Sequence, residues 1–363
     1  MSIRNAQHRK QLQFAKATQC ALFAAAVVAT AAFTARADWW AWIGKDNSSA
    51  PCYYDDFGTP ANGKTNGCCY RSGGSGLNAA SFANYNHWIG FTNGGKLTVN
   101  PKWDGTITFR ALTSQTGGDG LYITEYANPI TFVAEDPAYG ISGTKLLQLN
   151  PGVELAVTSG AYSFSKINVA NDSAAGKSST LTVNGPSASL AASGELSIGY
   201  NGGGGSMGHV VVGDGATVGT GANFTLYKGD ATINGGNVTV DGTLHIAYRG
   251  SGEFTLNEGE VDVATKVHFG GCYASAPTKL SLNGGILSTP TITWNNGSTT
   301  ANVVFNGGTL KANADGTLIA SSSKIAVTVD NGGGVIDNGG FSSFLVSRSP
   351  KKLGPGGLRI ILR

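Results

Sequence analysis

A short phrase recurs between residues 230 and 312, and it constrains the fold more than any other feature of the chain. It reads ATINGGNVTV at 231–240 and FTLNEGEVDV at 254–263, with related versions at 279–288 and 303–311. The copies share a turn asparagine, and the series is Asn234, Asn257, Asn283, Asn306 and Asn331. Their spacings are 23, 26, 23 and 25 residues. A period in this range is typical of a repeat architecture.

Within each copy the apolar residues alternate with polar ones. The first copy places Ala231 and Ile233 before the turn asparagine and Val238 and Val240 after it. Alternation with a period of two puts one row of side chains inward and the next outward. Each repeat is therefore predicted to be three short strands with one buried face, separated by Gly and Asn residues that accept tight turns.

Two all-β folds compete for this pattern. Asn-Gly between alternating strands is also a strong hairpin signal, which would make an antiparallel meander. Three strands per repeat is an odd number, however, so equivalent turns of a meander would fall on opposite edges. Identical turns are better explained by a parallel β-solenoid whose stacked asparagines form a hydrogen-bonded ladder. Residues 91–340 leave room for about ten rungs.

The first 37 residues have the pattern of a secretory signal peptide. Arg4, Arg9, Lys10 and Lys16 precede an apolar run at 21–35, and a small-x-small site ends at Ala37. The apolar run is too short to span a bilayer comfortably, so no transmembrane segment is expected in the mature chain. Cleavage removes five basic and no acidic residues, which changes the net charge from +3 to −2. The charge therefore gives no reason to expect a nucleic-acid partner.

Residues 38–90 differ in composition and periodicity from the repeats that follow. They are rich in Trp and Tyr among Gly, Ser and Asn, with little periodicity. The first rung of a solenoid needs a cap over its open strand edge, so we interpret this segment as an N-terminal cap, with a separate aromatic sugar-binding module as the alternative. The cysteines left after cleavage are Cys52, Cys68, Cys69 and Cys272. Export to an oxidising compartment favours a disulfide, but the sequence does not determine the pairing.

The last segment, residues 341–363, is predicted to be irregular. The repeat phase is lost after Asn338, and the chain ends in the sequence SRSPKKLGPGGLRIILR. A truncated passenger fragment without an independent role is one interpretation of such an end.

The recurring apolar-NGG-x-apolar-x-apolar phrase behind a signal peptide resembles the autotransporter-associated β-strand repeat proteins of bacteria. The WWAW run at 39–42, the TPAN run at 59–62 and the LGPGGL run at 353–358 are similar to other parts of that family's pattern. The resemblance implies a right-handed, single-stranded parallel β-helix that is secreted or displayed at the cell surface, often with an adhesive role. The chain departs from the autotransporter pattern in having no C-terminal translocator barrel.

Stacking the repeats predicts two outward rows of polar side chains. Eleven residues after the turn asparagine lie His245, His268 and Trp294, and four residues before it lie Asp230, Glu253 and Lys279. Two stacked imidazoles could bind a metal, and two stacked carboxylates could share a proton or hold calcium. The alternative, which the sequence favours, is an exposed His/Trp ladder and a surface row of ion pairs with no catalytic, metal or cofactor role.

A generic catalytic motif is also present. Residues 204–208 match G-x-S-x-G, but a Gly-rich loop leads there into the strand that starts near His209, whereas the motif works at a strand-to-helix turn. Catalysis on a β-helix needs convergent acidic groups, which the predicted register does not supply. The sequence therefore predicts a structural or adhesin-like protein that contacts glycans or cell-surface components. A polysaccharide lyase or glycoside hydrolase on the same scaffold is the alternative.

Overall fold

The structure is a computed structural model. It describes residues 146–170, 176–199, 205–271, 278–294, 300–341 and 356–359 with their side chains, and a few short strands outside these ranges in backbone alone. Within the described ranges every regular element is a β-strand, and strands of successive rungs pair in parallel. The chain thus forms a parallel β-solenoid of about 7 turns between residues 146 and 359. The prediction of a solenoid rather than a meander is confirmed.

Three parallel sheets, which we call A, B and C, run along the solenoid. Sheet A contains Glu154–Val157, Ser178–Val183, Met207–Val212, Thr278–Leu282, Ala301–Phe305 and Ile325–Val329. Sheet B contains Gly160–Phe164, Ala188–Ala192, Thr217–Thr220, Ile286–Thr289, Thr309–Ala312 and Gly334–Asp337. Sheet C contains Leu146–Leu149, Lys166–Val169, Leu196–Ile198, Phe224–Leu226, Thr243–Ile246, Lys266–Phe269, Ile292–Trp294 and Gly316–Ile319. Two long strands, Gly229–Val240 and Gly252–Val263, continue through the corner from sheet A into sheet B.

The core fills the inside of the coil because each strand alternates between buried and solvent-facing side chains. In Met207–Val212 the side chains of Val210 and Val212 are buried, whereas those of His209 and Val211 face outward. Inward residues of successive rungs stack in register, so Phe254 lies between Ala231 and Leu280. The stacked inward side chains form one continuous apolar cluster. Burial of these rows supplies the main driving force that holds the rungs together.

The turn asparagines lie at the corner between sheets A and B. Asn257 Nδ2 donates to Asn234 Oδ1 at 2.7 Å, and Asn283 Nδ2 donates to Asn257 Oδ1 at 2.8 Å. Each asparagine amide of this ladder thus donates a hydrogen bond to the asparagine oxygen on the rung before it.

The ladder takes a different form at Asn306. Its Oδ1 accepts the backbone N–H of Gly332 at 3.0 Å. Val329 pairs with Phe305, and the N–H of Asp330 donates to the Phe305 carbonyl. Asp330 therefore occupies the corner position that the sequence assigned to Asn331. The preceding repeat is one residue shorter than the asparagine spacing suggests.

Several sequence predictions concern residues outside the described ranges. These are the signal peptide at 1–37, the cap at 38–90, Cys52, Cys68, Cys69, Cys272 and the rungs expected between residue 91 and residue 145. At the other end, parallel pairing extends past residue 340 into the segment that we expected to be irregular. Phe344–Val346 pairs with sheet C, and Leu358–Ile361 pairs with Gly334–Asp337 of sheet B. Among the described residues, no helix has the length and hydropathy to cross a bilayer.

Candidate functional site

Two outward surfaces of the solenoid carry the polar side chains that the sequence singled out. The first lies on sheet A, and we call it the sheet A strip: His209, Asp230, Glu253 and Lys279. The register places these four residues side by side on successive rungs. The stacking of Asp230, Glu253 and Lys279 is that of the predicted row, and His209 extends it by one rung.

The two carboxylates of the strip bind different cations. His209 Nδ1 lies 2.7 Å from Asp230 Oδ2, and Lys279 Nζ lies 2.7 Å from Glu253 Oε1. Glu253 Oε1 also accepts a hydrogen bond from Ser281 Oγ at 3.1 Å. Because each carboxylate has its own basic partner, the strip is an alternating, charge-balanced row. Its side chains are 30–44% exposed, so the row lies open to solvent.

The hydrogen bond to Asp230 changes the acidity of His209. This bond raises the pKa of the imidazole above its ordinary value, partial burial works in the opposite direction, and the charge of Asp230 adds to the increase. The bond also leaves Nε2 as the free nitrogen of the ring. A carboxylate that orients an imidazole is a familiar arrangement in acid–base catalysis, although structural ion pairs have the same geometry.

The second surface is the outer face of sheet C, where aromatic rings of the same and of adjoining rungs meet edge to face. We call Tyr227, Tyr248, His245 and His268 the sheet C cluster. The ring centroids of Tyr227 and Tyr248 are 5.4 Å apart, those of Tyr248 and His245 are 5.2 Å apart, and those of His245 and His268 are 5.4 Å apart. All four side chains are half-buried. Edge-to-face contacts of this kind fix the relative orientation of the rings.

Glu195 anchors one end of the sheet C cluster. Its carboxylate lies 3.1 Å from Lys166 Nζ and accepts a long hydrogen bond of 3.4 Å from the Tyr227 hydroxyl. Burial alone would raise the pKa of Glu195, but the hydroxyl of Thr225 and the charge of Lys166 outweigh it, and the pKa is lowered. Burial and the charge of Glu195 raise the pKa of Tyr227 to about 12. At neutral pH the pair is therefore a carboxylate and a neutral phenol.

The structure corrects the predicted row on sheet C in one position. His245 and His268 stack in register, but the residue beside His268 on the next rung is Thr293 and not Trp294. Trp294 pairs with Phe269 and packs against the core. The difference arises at the corner that contains Pro290. Val261 pairs with Leu287 on sheet B, and Val267 pairs with Ile292 on sheet C. The rung that contains Leu287 and Ile292 therefore has one residue fewer between these two sheets than the rung before it.

The G-x-S-x-G match does not present a nucleophile. Ser206 is fully buried, and its hydroxyl donates to the carbonyl of Ala170. The residues that follow it form the strand Met207–Val212. This agrees with the expectation that the motif here precedes a strand.

Sequence reasoning missed His209 as the partner of Asp230, and it missed both tyrosines. His209 lies 21 residues before Asp230, a spacing close to one repeat, but it precedes the first clear copy of the phrase. Tyr227 and Tyr248 follow sheet C strands, and Tyr248 comes after Ala247, whose φ is 61°. A residue in the left-handed region interrupts the alternation of side chains between the two faces of a strand. The sequence pattern therefore could not assign Tyr248 to a face.

Compared with protein-family models, with curated proteins and with solved structures, the chain shows no significant match. The likeness to autotransporter-associated repeats therefore rests on sequence motifs alone, chiefly the recurring phrase.

Proposed function

We propose that the chain is a non-catalytic structural repeat protein, an adhesin-like solenoid that is secreted or displayed at the cell surface. The observation that carries the proposal is the pairing within the sheet A strip. Asp230 is bound to His209 and Glu253 to Lys279, so both carboxylates serve contacts between rungs. Groups with these partners stabilise the stack and are not arranged around a shared substrate position.

The finer architecture belongs to the same proposal. A right-handed coil of about ten rungs, an N-terminal cap at 38–90 and export by the signal peptide at 1–37 follow from the sequence and from the resemblance to autotransporter-associated repeats. The stacked, in-register rungs between 146 and 359 support this proposal because they are the fold that the resemblance implies.

Glycans are the proposed partners of the sheet C cluster. Tyr227 and Tyr248 are half-buried side by side, with Glu195 and Lys166 at one edge. Aromatic rings with polar groups at their margin are suited to sugar rings, which have apolar faces and hydroxyl edges.

A polysaccharide-acting enzyme is the second proposal, and one observation favours it. Asp230 orients the imidazole of His209, which gives the strip one positioned base with a free nitrogen. A lyase or hydrolase would require this pair, or Glu253 beside it, to act on a bound chain.

A screen of neutral and acidic polysaccharides on the purified protein, with calcium or with a chelator, tests these proposals. The readouts are retention of the glycan and the appearance of new reducing ends or unsaturated products. Asp230→Asn and Glu253→Gln remove the paired carboxylates. Glu154→Gln is the control, because Glu154 belongs to the same outward row and lies two rungs before His209. Binding without turnover is the expected result. Turnover that either variant abolishes and the control retains would make the protein an enzyme.

A further inference from the structure

We propose that His245 and His268 form a two-imidazole site for a divalent transition-metal ion of the zinc, nickel or copper class. They are register partners on adjoining rungs of sheet C, and their ring centroids are 5.4 Å apart at an angle of 88°. Both are half-buried on the outer face of the sheet. Imidazole nitrogens are the ligands that these metals prefer, and a metal between the rings would link two rungs.

Thr293 contacts one ring nitrogen of His268 and leaves the other available to a metal. The Thr293 hydroxyl donates to the Val267 carbonyl at 3.4 Å, and its oxygen lies 2.7 Å from His268 Nδ1. In the tautomer with the proton on Nδ1, that nitrogen donates to the Thr293 oxygen while the Thr293 hydroxyl donates to Val267. The lone pair then lies on Nε2. A second ring nitrogen that donates to a neighbouring oxygen is the usual support of a metal-binding histidine.

His245 offers a nitrogen that no protein group uses. Its Nδ1 is buried and has no hydrogen-bond partner among the described residues. A buried polar atom of this kind normally costs stability, because it has lost its hydrogen bonds to water. Coordination through Nδ1 would give this atom a partner and so offset that cost, with the imidazole proton on Nε2.

Burial and nearby charges act on both imidazoles. Burial, the charge of a protonated His245 and the charge of Lys266 lower the pKa of His268 to about 4. Burial and Lys266 also lower the pKa of His245, which Glu195 partly opposes. Lys266 acts on both rings, whereas Glu195 opposes it at His245 alone. This balance weakens the binding of any cation, so modest affinity is expected.

The number of protein ligands also sets the class of metal. Among the residues that the structure describes, no group of three or more His, Cys, Asp or Glu side chains comes together. The remaining coordination positions are therefore taken by water. Calcium and magnesium prefer several oxygen ligands, so they should not compete for a pair of imidazoles.

Titration calorimetry of the metal-free full chain with Zn²⁺ and with Ni²⁺ tests the site, with Ca²⁺ as the negative probe. His268→Gln and His245→Gln are each expected to lower the affinity by at least about tenfold. Thr293→Val leaves both ligands in place and removes only the contact that supports His268, so it should weaken binding by about tenfold. His209→Gln is the matched control, because His209 is engaged by Asp230 on another sheet. Thermal unfolding without metal shows whether each variant folds.

Loss of binding in both sheet C variants, with binding kept in the control, is the expected result. Binding that survives both substitutions, or that falls equally in His209→Gln, would overturn the proposal. So would equal binding of Ca²⁺. Failure of the metal site can be distinguished from failure of the proposed function. A protein that binds glycans but no metal would support the adhesin-like function and reject the two-imidazole site.

Discussion

The imidazole Nδ1 of His209 lies 2.7 Å from the carboxylate Oδ2 of Asp230 on the next rung. The residues are 21 positions apart in sequence, and only the stacking of sheet A brings them together. The pair shows how the solenoid works as a scaffold. Each rung contributes one side chain to the sheet A strip, and the ion pairs of this strip are made between adjoining rungs.

Asp230→Asn should lower the pKa of His209. Asp230 is the main cause of the raised pKa, and without its charge the partial burial of the ring is opposed only weakly. The titration of the His209 ring protons by NMR measures the change. Glu253→Gln is the control, since Glu253 binds Lys279 and should leave the His209 titration unchanged. An unshifted His209 pKa in Asp230→Asn would contradict the assigned contact.

The same pair makes a pH-dependent contribution to folding stability. Because the folded-state pKa of His209 is raised, its contribution is fully present below the unfolded value of about 6.5 and is lost as the pH rises through the folded pKa. Wild type should therefore exceed Asp230→Asn in stability by more at pH 6 than at pH 8. Both side chains are partly exposed, so the difference should be small. Denaturant unfolding at the two pH values measures it, and the opposite trend would reject the sign.

Gly259 should tolerate no side chain, because the corner brings its backbone against the previous rung. Its φ is 92°, and a Cβ there would lie 2.1 Å from the Gly236 carbonyl oxygen. Gly259→Ala should cost roughly 3 kcal/mol or more, combining left-handed strain with overpacking. Gly219 is the control: a Cβ there meets nothing within 4 Å, and its φ is not positive. Gly219→Ala should stabilise the fold by about 0.5 kcal/mol. Similar urea midpoints for the two variants would contradict the corner geometry.

The sequence was sufficient to predict the features that depend on short-range order. The alternation of apolar and polar residues on both sides of Asn257 predicts which side chains point inward on sheets A and B. This prediction works because the corner between the two sheets contains three residues in both long strands. The corner between sheets B and C varies in length, so the register of sheet C slips by one residue at Pro290 and Thr293 replaces Trp294. Contacts between rungs depend on the sum of all corner lengths. A one-residue error at one corner therefore changes the partner of every residue on the following sheet.

Asn257→Ala should destabilise the corner ladder by about 1 kcal/mol. Its amide is both donor, to Asn234, and acceptor, from Asn283, so the substitution removes two hydrogen bonds at an exposed position. Asn331→Ala is the control, because Asn331 is exposed and lies one residue beyond the corner position that Asp330 occupies. It should change the unfolding free energy by less than about 0.5 kcal/mol. If the two substitutions had equal effects, the amide ladder would not contribute to stability.

Phe254→Ala should be the most damaging truncation of the core of the middle rungs. The Phe254 side chain is fully buried, stacks between Ala231 and Leu280, and meets the Phe224 ring edge to face at 6.2 Å. Its removal should cost about 3–5 kcal/mol, because the fixed spacing of the rungs prevents the cavity from closing. Ile286→Ala is the matched control, since Ile286 is 38% exposed on the outer face of sheet B and should change stability by less than about 1 kcal/mol. Because each rung packs mainly against its two neighbours, Phe254→Ala should also separate unfolding into two steps, detected as a biphasic urea transition. A single transition that shifts no further than that of Ile286→Ala would show that Phe254 does not couple the two halves of the stack.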